Sequence, residues 1–487
     1  MTAPNLLFIY TDEQAFNTLA AYGNPQIQMP NLNRLAGESF VFDQAYVTQP
    51  VCTPSRASLL TGLYPHTTGC TQNNVPLRPE TRCLAEMLTP GTYVTGHFGK
   101  WHLGDELFAQ HGFDEWVSIE EMYNEFFSEG LDRSTHSSYH GFLLENNLTP
   151  KNGRSFGRGE AARLPESLGK PAFLARRASE FLRASRGRPF ALYVNFLEPH
   201  MPFFGPRDGQ HPVDTIPLPG NFTHELSDHQ PIKARLLREH YFRHGHSGMP
   251  LRTEADWRRM IANYWGLCSL VDTYVGVILD CLDECGLREN TIVVFTSDHG
   301  DMMGAHRLLA KCVMFQEAVR VPLLLRLPGQ ERGRRVTGPV SQVDLVPTLL
   351  DLMGQEIPEE LEGKSLRSVL GSDRPVVHGG AFIEWNGANS GLGAAAPGRS
   401  IPDWAETIAR PEEIRAAMSD PVRSVVSDDG WKLNCSAIEE HELYDLENDP
   451  FETRNLFARE KGRAAELRAR IALWQDRTRD PVTLSRF

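Results

Sequence analysis

Four short apolar runs constrain this chain more than any other feature. They are NLLFIY (5–10), TYVTGHF (92–98), PFALYVNFL (189–197) and NTIVVFT (290–296), with VPLLLRL (321–327) as a fifth. Each has the length and the unbroken apolar character of a strand buried on both faces of a parallel sheet. Helical patterns lie between them, notably 257–286 and VDLVPTLLDLMG (343–354), the latter closed by Gly354 as a C-cap. Strands alternating with helices over more than 300 residues predict an α/β fold with a large doubly wound central sheet flanked by helices.

The residues just after each run are the second constraint. Thr11, Asp12 and Glu13 come after the first, Lys100 and His102 after the second, Glu198 and His200 after the third, and Asp298, His299 and Asp301 after the fourth. Any one of these groups alone reads as a capped turn. Together they predict a converging polar site, because ligands of open α/β sheets bind beyond the carboxyl ends of the strands.

The rest of the chain adds organisation. Residues 105–185 and 203–255 read as polar, irregular loops that shape access, with His240, His244 and His246 in one of them as a solvated cluster. From about 375 the pattern becomes short strands and turns, with an Asp-Gly hairpin signal in DDGWKLN. This predicts two units: 1–375 as the catalytic domain and 376–487 as a small α+β C-terminal domain. The net charge of −13 argues against nucleic acid as a partner. No apolar run in the sequence reaches a membrane span, and MTAPNLLFIYTDEQ has no signal-peptide pattern, so the expectation is a cytoplasmic protein without a membrane partner. The eight cysteines are scattered, without CxxC or zinc spacing, and read as free thiols; Cys281 and Cys285 share a helical core face.

Chemistry concentrates around VCTPSRASLLTG (51–62). Asp12, Asp298 and His299 are hard or borderline ligands, which suits Ca²⁺, Mg²⁺ or Mn²⁺ better than structural zinc. Arg56, Lys100 and Lys311 add fixed positive charge, while His102 and His200 can exchange protons. Such a set suits attack on a tetrahedral oxyanion ester, with metal and cations stabilising the equatorial oxygens. A thiolate at Cys52 facing a hard metal is chemically awkward, and an oxygen nucleophile fits better.

CTPSR followed by ASLLTG resembles the signature of the formylglycine-dependent sulfatases of the alkaline phosphatase superfamily. NLLFIYTD, GKWHLG (99–104), EPHMPF (198–203), TSDHGDMMGAH (296–306) with Lys311, and ELYDLENDPFETRNL (442–456) stand in the family's order. The resemblance implies an alkaline phosphatase-like fold and a sulfuric ester hydrolase. It implies that Cys52 is oxidised to formylglycine by a formylglycine-generating enzyme, and that Asp12, residue 52, Asp298 and His299 hold one divalent metal, Ca²⁺ or Mn²⁺. In the family's mechanism one hydroxyl of the hydrated aldehyde attacks sulfur and displaces the alcohol. His200 and Lys311 then serve the leaving oxygen, His102 deprotonates the second hydroxyl to expel sulfate, and Arg56 and Lys100 hold the oxyanion. The substrate implied is a small-molecule or saccharide sulfate ester, and relatives of this type often form homo-oligomers.

Two departures matter. Asp12-Glu13 and Asp298-His299 stand where many sulfatases have Asp-Asp and Asp-Asn, leaving Glu13 as either a ligand or a surface acid. Asp-His and TQNNVPL (71–77) resemble phosphonate monoester hydrolases, in which an Asn at the position of Asn73 contacts the substrate oxyanion. GKWHLG favours sulfate, with phosphonate or phosphate ester hydrolysis as the alternative. An unmodified Cys52 would mark a pseudoenzyme, and full activity in Cys52→Ser would mark a phosphatase using an ordinary hydroxyl. Trp101 reads as packing and His306 as an orienting residue.

Overall fold

The computed structural model describes residues 3–122, 128–227, 229–372, 374–387 and 400–486. Its centre is a nine-stranded mixed sheet among these residues. The strands are β1 (Asn5–Asp12), β2 (Phe40–Tyr46), β3 (Val94–Gly99), β4 (Glu115–Val117), β5 (Phe190–Pro199), β6 (Thr291–Ser297), β7 (Arg320–Val321), β8 (Leu323–Arg326) and β9 (Arg334–Ser341). They are ordered β4-β3-β5-β1-β6-β8-β2-β7, with β9 paired to β2. The four runs that end in polar residues form the parallel block β3-β5-β1-β6.

The two faces of the sheet follow from the period-two alternation of a strand. Leu7 and Ile9 of β1, with Leu192, Val194 and Phe196 of β5, join one core, covered by the helices Pro30–Gly37, Lys170–Ala184 and Glu254–Glu284. Leu6, Phe8 and Tyr10, with Ala191 and Tyr193, join the other, covered by Cys52–Thr61 and Leu345–Leu352. Both faces are apolar, which is why these strands read as continuous apolar runs. The same burial hides direction: VPLLLRL, expected as a parallel strand, contains β8, which pairs antiparallel with β6 and β2.

The two segments expected as loops are more ordered than that expectation. They include the helices Ser138–Glu145, Lys170–Ala184 and Ile232–His244, while residues 123–127 and 228 lie outside the described residues. His240 and His244 therefore sit on a helix rather than in a loop, and His246 comes just after its end. Helix Glu254–Glu284 is long and apolar enough to cross a membrane, contrary to the reading of the sequence. Its most apolar window is 78% buried, and it packs against Lys170–Ala184 and β5 as a core helix. Gly354 closes the Leu345–Leu352 helix as expected, with φ +68° and its N–H donating to Asp351 O.

A second, four-stranded antiparallel sheet comprises β10 (Ala381–Asn386), β11 (Pro421–Val426), β12 (Trp431–Ser436) and β13 (Glu442–Asp445). The expected hairpin joins β11 to β12 through Gly430 at φ +80°. Leu433 and Leu443 pack under Leu467 and Trp474 of helix Lys461–Thr478, together with Tyr64 and Val343 of the larger part.

Candidate active site

The carboxyl ends of β1, β3, β5 and β6 do converge. Asp12 ends β1, and Asp298 and His299 come directly after β6, with all three side chains fully buried. Cys52 is the first residue of the helix Cys52–Thr61, behind the extended Val51, so its side chain stands at the positive end of the helix dipole. Cys52 Sγ lies 3.2 Å from His299 Nε2 and 3.7 Å from Asp12 Oδ1. One ligand atom from each of Asp12, Cys52, Asp298 and His299 falls within 4.8 Å of the others. Cys52 is in no disulfide, which removes that reading of it.

Arg56 lies one helical turn after Cys52 and binds the acids together. Its Nε donates to Asp298 Oδ2 at 2.9 Å, its Nη2 to Asp12 Oδ2 at 2.9 Å, and its Nη1 to Lys100 O at 2.7 Å. Lys100 pairs with the same Asp12 oxygen. Burial would raise the Asp12 carboxyl, but Lys100, His200 and Arg56 outweigh it and hold Asp12 well below the usual range. Burial, reinforced by Asp12, pushes the Cys52 thiol up to about 11, so it is no thiolate at neutral pH.

These residues fit a divalent cation. His299 Nδ1 donates to the Gly300 carbonyl at 3.0 Å, which leaves the Nε2 lone pair directed at the acids. That lone pair faces Asp12 Oδ1 at 3.7 Å and Asp298 Oδ1 at 3.6 Å. Three lone-pair donors converging in a buried space repel one another unless a cation joins them. Two carboxylates and one imidazole are ligands for Ca²⁺ or Mn²⁺.

Glu13 is fully buried, so it is not a surface acid. Its Oε2 pairs with Lys311 Nζ at 2.8 Å and faces His200 Nε2 at 3.4 Å. Burial, with Asp301 beside it, pushes Glu13 up to about 7 in spite of Lys311. Burial works against the Lys311 ammonium, but Cys52 and Glu13 hold its pKa well above the ordinary value. Burial, then Lys311, lowers His200 well below the usual imidazole value. Its Nδ1 donates to Met201 O at 2.9 Å, so Nε2 is the nitrogen that exchanges protons with the site.

On the opposite side, His102 Nε2 donates to Asn74 Oδ1 at 2.8 Å. Burial, then Lys100, lowers His102 well below its usual value. Asn73 Oδ1 accepts from Thr53 N at 3.0 Å, which sets it beside the nucleophile position, and Thr53 Oγ1 donates to His102 O at 2.8 Å. The site residues expected from the sequence thus gather around Cys52, most of them buried, with Asn73 and Lys311 half-buried. Trp101 packs among His97, Phe113 and Trp116, while His306 contacts Asn221 and His224 and stacks on Phe315.

Reading the sequence missed two supports. Asn74, rather than Asn73, meets His102. Glu106 accepts from the backbone amides of Trp101 at 2.8 Å and His102 at 2.7 Å, which pins that loop. The acid four residues after His102 in GKWHLGDE was the available signal.

The description "Sulfatase" belongs to the family model that matches residues 4–355. The uncharacterised sulfatase YidJ of Escherichia coli K12 is 32% identical over 492 residues, covering 99% of this chain and 89% of the relative. BT4656, solved in complex with its substrate D-glucosamine-2-N,6-O-disulfate, is 23% identical with a TM-score of 0.73, covering 98% of this chain and 99% of that one. The phosphonate monoester hydrolase of Agrobacterium radiobacter is 23% identical with a TM-score of 0.74, covering 98% and 96%. These two likenesses bear out the alkaline phosphatase-like fold. The chain belongs to the sulfatase family, hydrolases of sulfate esters.

Proposed function

We propose that the protein hydrolyses a small-molecule or saccharide sulfate monoester with an oxygen nucleophile made from Cys52. The observation that carries this reading is Cys52 Sγ set among Asp12, Asp298 and His299 Nε2 at the head of a helix. A formylglycine-generating enzyme would convert Cys52 to an aldehyde whose hydrate supplies that oxygen. A Ca²⁺ or Mn²⁺ ion held by Asp12, Asp298, His299 and residue 52 would stabilise negative charge on the ester oxygens.

The chain's own residues carry the remaining work. Arg56 bridges both acids, and Lys100 compensates Asp12, so Asp12 stays ionised. Lys311 and His200 Nε2 face the leaving-group side, where the Lys311 ammonium stabilises the departing oxygen. His102 donates from Nε2 to Asn74, which leaves Nδ1 as its basic nitrogen for taking a proton at the second step. Residues 1–375 supply this chemistry as the catalytic domain, with residues 376–487 as the smaller C-terminal domain.

The second reading is phosphonate monoester hydrolysis. It is favoured by Asn73 beside the nucleophile position and by the Asp298-His299 pair. The test is the ratio of kcat/KM for an aryl sulfate and the matching aryl phosphonate monoester. The protein is matured with a formylglycine-generating system and supplied with Ca²⁺ or Mn²⁺. A ratio favouring sulfate supports the first reading, and a ratio favouring phosphonate replaces it with the second.

A further inference from the structure

Glu121, His136 and His140 form a second cluster of metal-ligand type, with no member in common with the Asp12, Cys52, Asp298 and His299 group. Glu121 comes shortly after β4, and the two histidines flank the start of the helix Ser138–Glu145. Polar bonds fix these two pieces of chain to each other. Ser138 N donates to Ser118 Oγ at 3.1 Å, and Tyr139 N donates to Ser118 O at 3.0 Å. Ser137 caps the helix, its hydroxyl accepting from His140 N at 3.1 Å. The Ser137 amide donates to Glu121 Oε1 at 2.8 Å, which holds the carboxylate against the turn.

Both imidazoles present the same nitrogen to that carboxylate. His136 Nδ1 is 3.3 Å from each of the Glu121 oxygens, and His140 Nδ1 is 3.2 Å from Oε1. The His140 approach lacks the alignment of a hydrogen bond: its Nδ1 has no hydrogen-bond partner among the described residues, and the residue is only 5% exposed. The two rings stack, with centroids 4.0 Å and planes 19° apart. One carboxylate can neutralise one imidazolium, but two protonated rings at this spacing repel each other. A divalent cation among the three groups satisfies both nitrogen lone pairs and the carboxylate together.

The donor set selects the class of cation. Two imidazoles with one carboxylate suit zinc, whereas Ca²⁺ takes about six to eight oxygens. Zinc bonds of about 2.0–2.1 Å in a tetrahedron set neighbouring ligand atoms about 3.3 Å apart. The nitrogen-to-oxygen separations here are 3.2 and 3.3 Å. The His136 side chain is 49% exposed, so the cluster is reached from solvent and its fourth position can be filled by water.

We propose that Glu121, His136 and His140 form a zinc site of their own, which fastens the segment after β4 to the helix Ser138–Glu145. The proposal does not depend on the ester-hydrolase reading. The experiment titrates zinc chloride by calorimetry into the full-length protein in excess Ca²⁺. Glu121→Gln, His136→Ala and His240→Ala are compared with the unaltered chain. Circular dichroism checks that each variant is folded.

The unaltered protein should bind zinc with a Kd of about 10 µM or tighter. Glu121→Gln and His136→Ala should each weaken this binding about tenfold or more. His240→Ala, in the separate His240–His244 pair, should leave it unchanged. Anomalous diffraction at the zinc edge, from crystals grown with zinc, should place a peak among the three side chains. The proposal is overturned by the absence of zinc binding, by binding that both site variants keep, by binding that follows His240 instead, or by an anomalous peak only beside Cys52.

Discussion

Cys52 Sγ and His299 Nε2 lie 3.2 Å apart, with the imidazole lone pair turned toward the sulfur by the Gly300 carbonyl behind it. The protein from a host with a formylglycine-generating enzyme should therefore carry an aldehyde at position 52. Peptide mass spectrometry and hydrazide labelling check this. Cys52→Ala should lose on the order of 10⁴-fold or more in kcat. An unmodified thiol in fully active protein would contradict the proposal.

Arg56 is the fully buried bridge between Asp12 and Asp298. Arg56→Lys keeps the charge but cannot reach both carboxylates and the Lys100 carbonyl at once. Removing one partner of a buried ion pair costs about 3–5 kcal/mol, so chemical denaturation should show a loss of that order for Arg56→Ala and a smaller one for Arg56→Lys. Both should also bind the metal more weakly by calorimetry.

Gly99 has φ +124°, and a Cβ there would meet Asn195 O at 1.9 Å. Gly99→Ala should displace Lys100 and destabilise the fold by roughly 3 kcal/mol or more, measured by thermal unfolding. A variant of native stability would contradict this account of how Lys100 is placed.

His102 is held well below the ordinary imidazole value, first by burial and then by Lys100. The acidic limb of the kcat/KM profile should therefore fall below the ordinary histidine range. Asn74→Ala removes the acceptor of His102 Nε2 and should lower kcat about tenfold with little change in KM. An acidic limb at or above the ordinary histidine range would contradict the assignment.

Away from the site, burial and then Glu452 raise Glu317 to about 7. A carboxyl whose folded pKa exceeds its unfolded value is more stable protonated. Its contribution is complete below the unfolded pKa of 4.5 and is lost as pH rises to about 7. Glu317→Gln does not titrate, so its stability relative to the unaltered protein should improve by about 2–3 kcal/mol between pH 5 and pH 8. Parallel denaturation curves at the two pH values check the sign.

Much of this architecture is local information. NLLFIY, PFALYVNFL and NTIVVFT are buried on both faces, and each hands its polar residues to the carboxyl edge through ordinary chain connectivity. That is why Asp12, His200, Asp298 and His299 could be picked out before any fold was known, and why the C-terminal Asp-Gly turn could be placed. Strand direction could not be read, because β8 is as apolar as its parallel neighbours and its orientation depends on pairing with β6 and β2. The helix Ile232–His244 was read as loop because its polar, basic sequence lacks a clear apolar stripe.

The sequence by itself determined the chemistry available: two acids, three imidazoles, three fixed cations and one cysteine ahead of a helix. Tertiary structure alone decided the pairings. Glu13 could stand in water or inside, and only packing buried it against Lys311 and His200. Asn73 and Asn74 are indistinguishable by type, and only the turn geometry gave Thr53 to one and His102 to the other. Residue type sets what a group can do, whereas burial and partners, which depend on distant segments, set what it does.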